Sequence, residues 1–381
     1  MAIQPFNPRE SVNRMLRKFG LHPDSLVKVS GTTKEHLRTH NGGPITVYEL
    51  ISTRVELASP ASQRQVKTLA GLSKGLDAER LQALASDGLY AREILEKRFS
   101  VLDLLEDFPS CALPLAAYLD MLSPLTPRQY SISSSPLGSP PVAAATTGFA
   151  IPSDADVDRL TCLTASLTYD VYESPSLAHP ATQTFNGVAS SYLASLAPGA
   201  RLRCFVRRTN IPFRLPADPK TPVIMVAAGT GIAPMRAFLQ DRAAIASARA
   251  GGAEANLGPA VLYYGCRDAE EDFLYREELA EWERQGVVKV HTAFSQKAAS
   301  AGDKTGHVDA RIWEDREELR GLFVDGGARI LVCGSAAKLG RSTAETCLRI
   351  YREAHPEETQ EQAEGWLMRM KEDRYVSDVF G

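Results

Sequence analysis

Residues 221–239 (TPVIMVAAGTGIAPMRAFL) constrain the fold more than any other stretch. The apolar run 223–228 suits one buried strand and falls far short of the roughly 20 residues of a membrane-spanning helix. Gly229-Thr230-Gly231 breaks the run, and Ala233, Pro234, Met235, Ala237, Phe238 and Leu239 then follow a helical pattern. Proline suits a first helical turn, where its missing N–H removes no hydrogen bond. A strand, a glycine turn and a new helix bring free backbone N–H groups and a positive dipole end to one point, which favours a phosphate. The spacing is neither G-x-G-x-x-G nor a Walker A loop, so the turn alone leaves an ordinary strand-to-helix connection open.

The same rhythm recurs downstream. Strands are predicted at 222–228, 260–265, 287–293 and 329–333, with helices between them and two more near 336–353 and 357–371. This alternation implies a doubly wound parallel α/β sheet, whose ligands lie at the carboxyl ends of the strands. Gly229-Thr230-Gly231, Gly265-Cys266-Arg267, Phe294-Ser295 and Cys333-Gly334-Ser335 occupy those ends. Four ends rich in Gly, Ser, Cys and Arg favour a dinucleotide site over plain scaffold.

Upstream the pattern differs. Asn7-Pro8-Arg9-Glu10 reads as a capped helix start, Val12, Met15, Leu16 and Phe19 share one face, and Gly20 ends the helix. From 45 to 122 the spacing stays helical, with Ser100 capping a helix that stops before Pro109. Strands are predicted at 128–133, 160–172 and 201–208, with a loop over 134–158 and a helix opened by 187–191. Their glycine and proline turns suit an antiparallel barrel.

A chain of 381 residues can hold two domains, and its net charge of −3 gives no bulk attraction to nucleic acid or to an anionic membrane. Six cysteines (111, 162, 204, 266, 333 and 347) form no C-x-x-C pair, which argues against zinc and against a disulfide framework. A reducing, cytoplasmic compartment is the expectation, and the start MAIQPFNPRE is not built as a signal peptide.

Five motifs occur in order: RQYSISSS (128–135), GVAS (187–190), AGTGIAP (228–234), YGCR (264–267) with DFLYREEL (272–279), and VCG (332–334). Together they resemble the FAD/NADPH half of diflavin reductases, the NADPH–cytochrome P-450 reductase family. The likeness is nearest to the reductase part of self-sufficient fatty-acid hydroxylases, and it covers nearly the whole chain. The resemblance implies an FAD-binding β-barrel over 1–44 and 124–214, an all-helical connecting part over 45–123, and a doubly wound NADPH-binding α/β domain over 215–381. This is the ferredoxin–NADP reductase-like arrangement, α+β followed by α/β. It also implies hydride transfer from NADPH to FAD, then single-electron transfer to an FMN-binding flavodoxin-like domain that feeds a haem monooxygenase. FMN and haem belong to those partner domains. The alternatives are a single-flavin ferredoxin or flavodoxin reductase, and a non-catalytic, FAD-poor fragment.

The resemblance also implies roles for single residues. Arg128 pairs with the FAD pyrophosphate, Tyr130 packs against the flavin, and Gly187, Val188, Ala189 and Ser190 present helix N-terminal amides. Thr164 and Ser166 meet the flavin through backbone. Ser131, Cys333 and Asp378 form the hydride-transfer site: Ser131 near flavin N5, Cys333 beside the nicotinamide, Asp378 orienting both. Gly229, Thr230, Gly231 and Arg267 hold the NADPH pyrophosphate, and Ser295 and Lys304 the 2′-phosphate.

Departures sharpen the expectations. Phe380 stands where the family usually has the Trp that stacks on the flavin, and Gln296 stands where it usually has Arg. Both changes predict weaker discrimination between NADPH and NADH. Residues 305–309 (TGHVD) and Ser335 also depart from the family pattern. Residues 2–8 resemble the point just after a Gly-Asp-His turn, so the resemblance implies a barrel whose earlier strands, like the FMN domain, are absent from this sequence. An open barrel leaves strand edges unpaired and predicts weaker FAD retention.

Overall fold

The computed structural model describes residues 1–29, 34–39, 42–138, 164–207, 212–249, 257–296 and 306–380. The chain divides into two compact units, Met1–Gln129 with Asp170–Val206, and Tyr130–Tyr169 with Arg207–Gly381.

The first unit is mainly helical. Helices α1 (Arg9–Phe19), α2 (Val47–Arg54), α3 (Gln63–Leu72), α4 (Gly75–Leu84), α5 (Asp87–Leu89), α6 (Val101–Asp107) and α7 (Leu115–Met121) lie in it. Val12, Met15 and Leu16 of α1 join Leu50, Ile51, Leu69, Leu81, Leu104 and Tyr118 in one buried cluster. The stretch 45–122 therefore shares its core with α1. Gly20 closes α1 in the left-handed region at φ 64°. Ser100 opens α6 with a reciprocal cap to Asp103.

The expected cap at Asn7 is not made. Pro8 precedes α1, and no side-chain cap is present. The Asn7 amide is buried and donates to the carbonyls of Ile51 and Val55, at 2.8 and 2.6 Å. Those carbonyls lie at the end of α2, where helical partners run out.

Two short pairs, β2 (Leu26–Val27) with β3 (Ile45–Thr46) and β5 (Glu173–Pro175) with β6 (Thr184–Asn186), accompany a three-stranded antiparallel sheet. Its order is β4 (Arg128–Gln129), β1 (Ala2–Gln4), β7 (Arg203–Phe205). Among the described residues the barrel thus reduces to this antiparallel sheet. The predicted strand at 128–133 pairs with β1 only at its first two residues, and Ile132 then makes an isolated antiparallel bridge to Leu167. Helix α8 (Val188–Ala194) follows β6 and begins at the GVAS motif.

The second unit carries a five-stranded parallel sheet: β8 (Val223–Ala228), β9 (Ala260–Cys266), β10 (Lys289–Phe294), β11 (Arg329–Ser335) and β12 (Tyr375–Phe380), in the order β10-β9-β8-β11-β12. The period-two alternation of strands sorts the side chains. Ile224, Val226, Tyr263 and Val332 join one core. Val223, Met225, Ala227, Tyr264 and Leu331 join another. Helices α9 (Ile232–Arg249) and α10 (Arg276–Arg284) supply Met235, Leu239 and Trp282 to the second core. Helices Arg341–Ala354 and Gln360–Asp373 supply Cys347, Ile350 and Met370 to the first. The sheet is therefore covered on both faces, as a buried parallel sheet must be.

The four predicted strands form within a residue or two of their expected bounds. The fifth, β12, lies beyond the four strands that the pattern predicts. Among the described residues, no helix is long and apolar enough to cross a membrane.

Candidate functional site

The strand order reverses between β8 and β11, which makes their carboxyl ends the switch point of the sheet. Gly229-Thr230-Gly231 leaves β8 there and leads directly into α9. Gly229 sits at φ +53°, where L side chains are strained. Gly231 meets β11: a Cβ there would lie 2.1 Å from the Cys333 carbonyl oxygen. Glycine is thus dictated by backbone contact, and the turn lies directly against the tip of β11.

On that tip, Cys333 pairs in register with Asp378 of β12. Ser131 Oγ donates to Asp378 Oδ2 at 3.3 Å. The trio read from sequence is therefore assembled in the second unit, although its members span 247 positions of chain. Burial, with a smaller contribution from the Asp378 charge, pushes the Cys333 thiol up to about 12. At neutral pH the thiol keeps its proton, and a neutral sulfur beside a carboxylate is the stable arrangement. Phe380 ends β12 opposite Ser335 and is half exposed.

The serine run is tightly held. Ile132 bridges Leu167, and Ser133 N–H donates to the Ser166 carbonyl at 2.8 Å. Ser166 N–H in turn donates to Ser134 Oγ at 2.9 Å. Both backbone groups of Ser166 are thus hydrogen-bonded within the protein. Thr164 is exposed. Tyr130 packs edge-on against Tyr169, with ring centroids 6.1 Å apart.

Sequence reasoning missed Arg236. Its guanidinium donates to the Ser133 carbonyl at 2.7 Å and forks onto Glu278 at 2.9 and 3.0 Å. The available signal was a single Arg among the apolar residues of early α9.

At the next strand ends, Arg267 is exposed, and its side chain and amide bond Asp272. Its carbonyl accepts from the N–H of Gln296, the neighbour of Ser295 in sequence, at 2.9 Å. Lys304 lies outside the described residues.

In the first unit, Arg128 Nη2 contacts Glu56 Oε2 at 2.5 Å, and Glu56 is buried. Arg128 Nη1 donates to the Thr126 carbonyl. Glu56, another residue the sequence reading missed, fixes the fork of the Arg that was assigned to a pyrophosphate. Gly187 caps α8, and Ser190 Oγ accepts from Tyr172 N–H at 3.2 Å. Val188 and Tyr172 line a cavity of about 170 Å³ together with Asn7, Lys97, Arg98 and Asn186. Arg98, at φ 57°, carries its guanidinium over the Phe185 ring. Cations, an aromatic ring and amide groups around one cavity suit an anionic, aromatic ligand. Among the described residues, no cluster of metal-ligating side chains occurs.

The chain has matches among known protein families and curated proteins. Residues 1–146 match the FAD binding domain family, and residues 225–344 match the oxidoreductase NAD-binding domain family. The chain is 38% identical over its full length to a bifunctional cytochrome P450/NADPH–P450 reductase of Fusarium oxysporum, of which it covers 33%. It is 39% identical to the self-sufficient cytochrome P450 monooxygenase CYP505E3 of Phanerodontia chrysosporium, and 36% identical to bifunctional cytochrome P450/NADPH–P450 reductase 2 of Bacillus subtilis. In both cases all of the chain and 33% of the relative are covered. The chain thus spans about a third of the length of the curated relatives it matches.

Proposed function

We propose that this chain, which matches the FAD binding domain family over residues 1–146 and the oxidoreductase NAD-binding domain family over 225–344, is a reductase module that moves electrons from NADPH to FAD. The observation that carries this reading is the Ser131–Asp378–Cys333 assembly at the switch point, against the Gly229–Gly231 turn. When bound, NADPH supplies a hydride, and FAD accepts it and releases electrons singly.

The residues present fit both nucleotides. Gly231 presses on β11 with no side chain between, and the first turn of α9 offers amides to a pyrophosphate. Arg267 adds a flexible cation. Ser295 and Lys304 serve the 2′-phosphate. On the flavin side, Arg128 has its fork set by Glu56, and the Arg98–Tyr172 cavity suits the adenylate end. Val188, Ala189 and Ser190 begin the helix that opens beside it.

Ser131 is both a donor to Asp378 and a hydroxyl next to the reacting rings. Cys333 contributes a compact neutral group that excludes water, and Asp378 holds its neighbours and balances developing positive charge. Positioning and preorganised electrostatics are the whole of the protein's part. Downstream, the electrons pass to an FMN-binding domain, as the family resemblance implies, and then to a haem monooxygenase, the partner suggested by the names of the relatives. Five free cysteines among the described residues suit a reducing, cytoplasmic setting.

The test is direct. Purified protein should be yellow, with FAD near one per chain, and should reduce ferricyanide with NADPH. Ser131→Ala and Cys333→Ala should each slow that reduction about tenfold or more while FAD stays bound. Normal rates in both variants would refute the assigned roles, and a colourless wild type would refute the flavoprotein reading.

A further inference from the structure

Helix α9 joins two parts of the site. Its first turn follows Gly229–Gly231. Its second and third turns grip residues 133–138. Arg236 Nη1 donates to the Ser133 carbonyl at 2.7 Å and to Ser166 Oγ at 3.3 Å. One turn on, Gln240 Oε1 accepts from Ser135 N–H at 2.8 Å, and the Asp241 carboxylate accepts from Ser135 Oγ. Gly138 packs so closely that a Cβ there would lie 2.9 Å from the Gln240 Cβ. Ser133 and Ser135 are almost wholly buried under these contacts.

Arg236 is anchored in turn. It forks onto Glu278 of α10, and its guanidinium lies 4.6 Å from the centroid of the Tyr275 ring. Tyr275 Oη meets Thr168 Oγ1 at 2.6 Å. The segment that carries Ser131 is therefore tied at one end to Asp378 on β12 and at the other to one face of α9.

A helix of this kind is a stiff rod, and residues 232–241 cover only about 14 Å along its axis. A phosphate at the first turn restrains the rod, and the restraint reaches whatever is hydrogen-bonded to its side. Any such coupling is reciprocal. Resting on the reductase reading, we propose that dinucleotide binding at Gly229–Gly231 stiffens the Ser131–Gly138 segment through Arg236, Gln240 and Asp241. Arg236 is then a positioning residue for hydride transfer. A merely structural Arg236 would alter stability alone and leave the response of this segment to dinucleotide unchanged.

Hydrogen–deuterium exchange on the full chain, with and without NADP⁺ and with the FAD content recorded, separates the two. In the wild type, NADP⁺ should slow exchange at least threefold in peptides covering 229–237 and also in those covering 131–138. Arg236→Ala should keep the first protection and lose the second. Gln240→Ala, a milder change that removes only the acceptor for Ser135 N–H, should lose at least half of it. Arg236→Lys, which can still reach the Ser133 carbonyl, should restore part of it. In steady state, Arg236→Ala should lower kcat at least fivefold with KM for NADPH within twofold.

Protection of 131–138 that persists in both alanine variants overturns the proposal. So does wild-type protection confined to the turn, which leaves the reductase reading standing. Absence of NADP⁺ protection anywhere refutes the reductase reading, and the coupling with it.

Discussion

Asp378 has a hydroxyl as hydrogen-bond donor and a protonated thiol as its register partner, Ser131 and Cys333. Two residues further along β12, Phe380 projects from the sheet edge opposite Ser335, with 51% of its surface exposed. An aromatic ring half open at a strand tip has apolar surface to offer, and in the proposed reading it covers the flavin. Phenyl offers less stacking area than indole, so the ring that nicotinamide must displace is held more weakly here. Phe380→Trp should therefore raise the ratio of kcat/KM for NADPH over NADH, by about threefold or more. Measuring both constants on the two proteins checks this, and an unchanged ratio rejects it. The effect should lie in selectivity and not in folding, because so exposed a side chain contributes little to the core.

Among the elements, the β8–turn–α9 unit is the least tolerant of change. A methyl group on Gly231 would collide with the Cys333 carbonyl, so Gly231→Ala must push the turn away from β11 or distort both. Overpacking of this kind costs about 1–3 kcal/mol. Gly231→Ala should lower the thermal midpoint by several degrees and abolish NADP⁺ binding, while leaving α1–α8 intact by circular dichroism. Binding within twofold of wild type would show that the contact is dispensable.

This unit was also the most legible part of the sequence, because a buried parallel strand must be an unbroken apolar run and a close backbone approach must be glycine. β12 was less legible, since Tyr-Val-Ser-Asp-Val-Phe on a sheet edge carries polar residues that a central strand excludes. Asn7 misled for a related reason: its side chain had helix-capping chemistry, but a second helix end took it. Arg236 was invisible to local pattern because its partner carbonyl lies 103 residues away. The trio Ser131, Cys333 and Asp378 could be named only by resemblance; sheet register sets Cys333 beside Asp378, and a hydrogen bond ties Ser131 to Asp378.

At the scale of the whole molecule, proton linkage sets the limit on stability at high pH. Burial holds the thiols of Cys266, Cys333 and Cys347 up to about 12, and all three lie in the second unit. Tyr263, Tyr264 and Tyr375 are displaced upward for the same reason. In the unfolded chain these thiols ionise near about 8.5 and the phenols near about 10. Each folded pKa is raised, so the stabilising contribution is complete below about 8.5 and is lost as pH rises toward 12. Each thiol that ionises only in the unfolded chain removes about 1.4 kcal/mol per pH unit, and a domain has only about 5–15 kcal/mol to lose. Thermal midpoints should therefore be flat from pH 7 to 8.5 and fall steeply between 9 and 10.5. Cys347 is buried in the core on one face of the parallel sheet. Cys347→Ala should start from a lower midpoint, because a small cavity replaces the sulfur, but should decline less steeply with pH by about one proton. A wild-type midpoint that stays level to pH 10.5, or identical slopes in the two proteins, would show that buried thiols do not govern the alkaline limit.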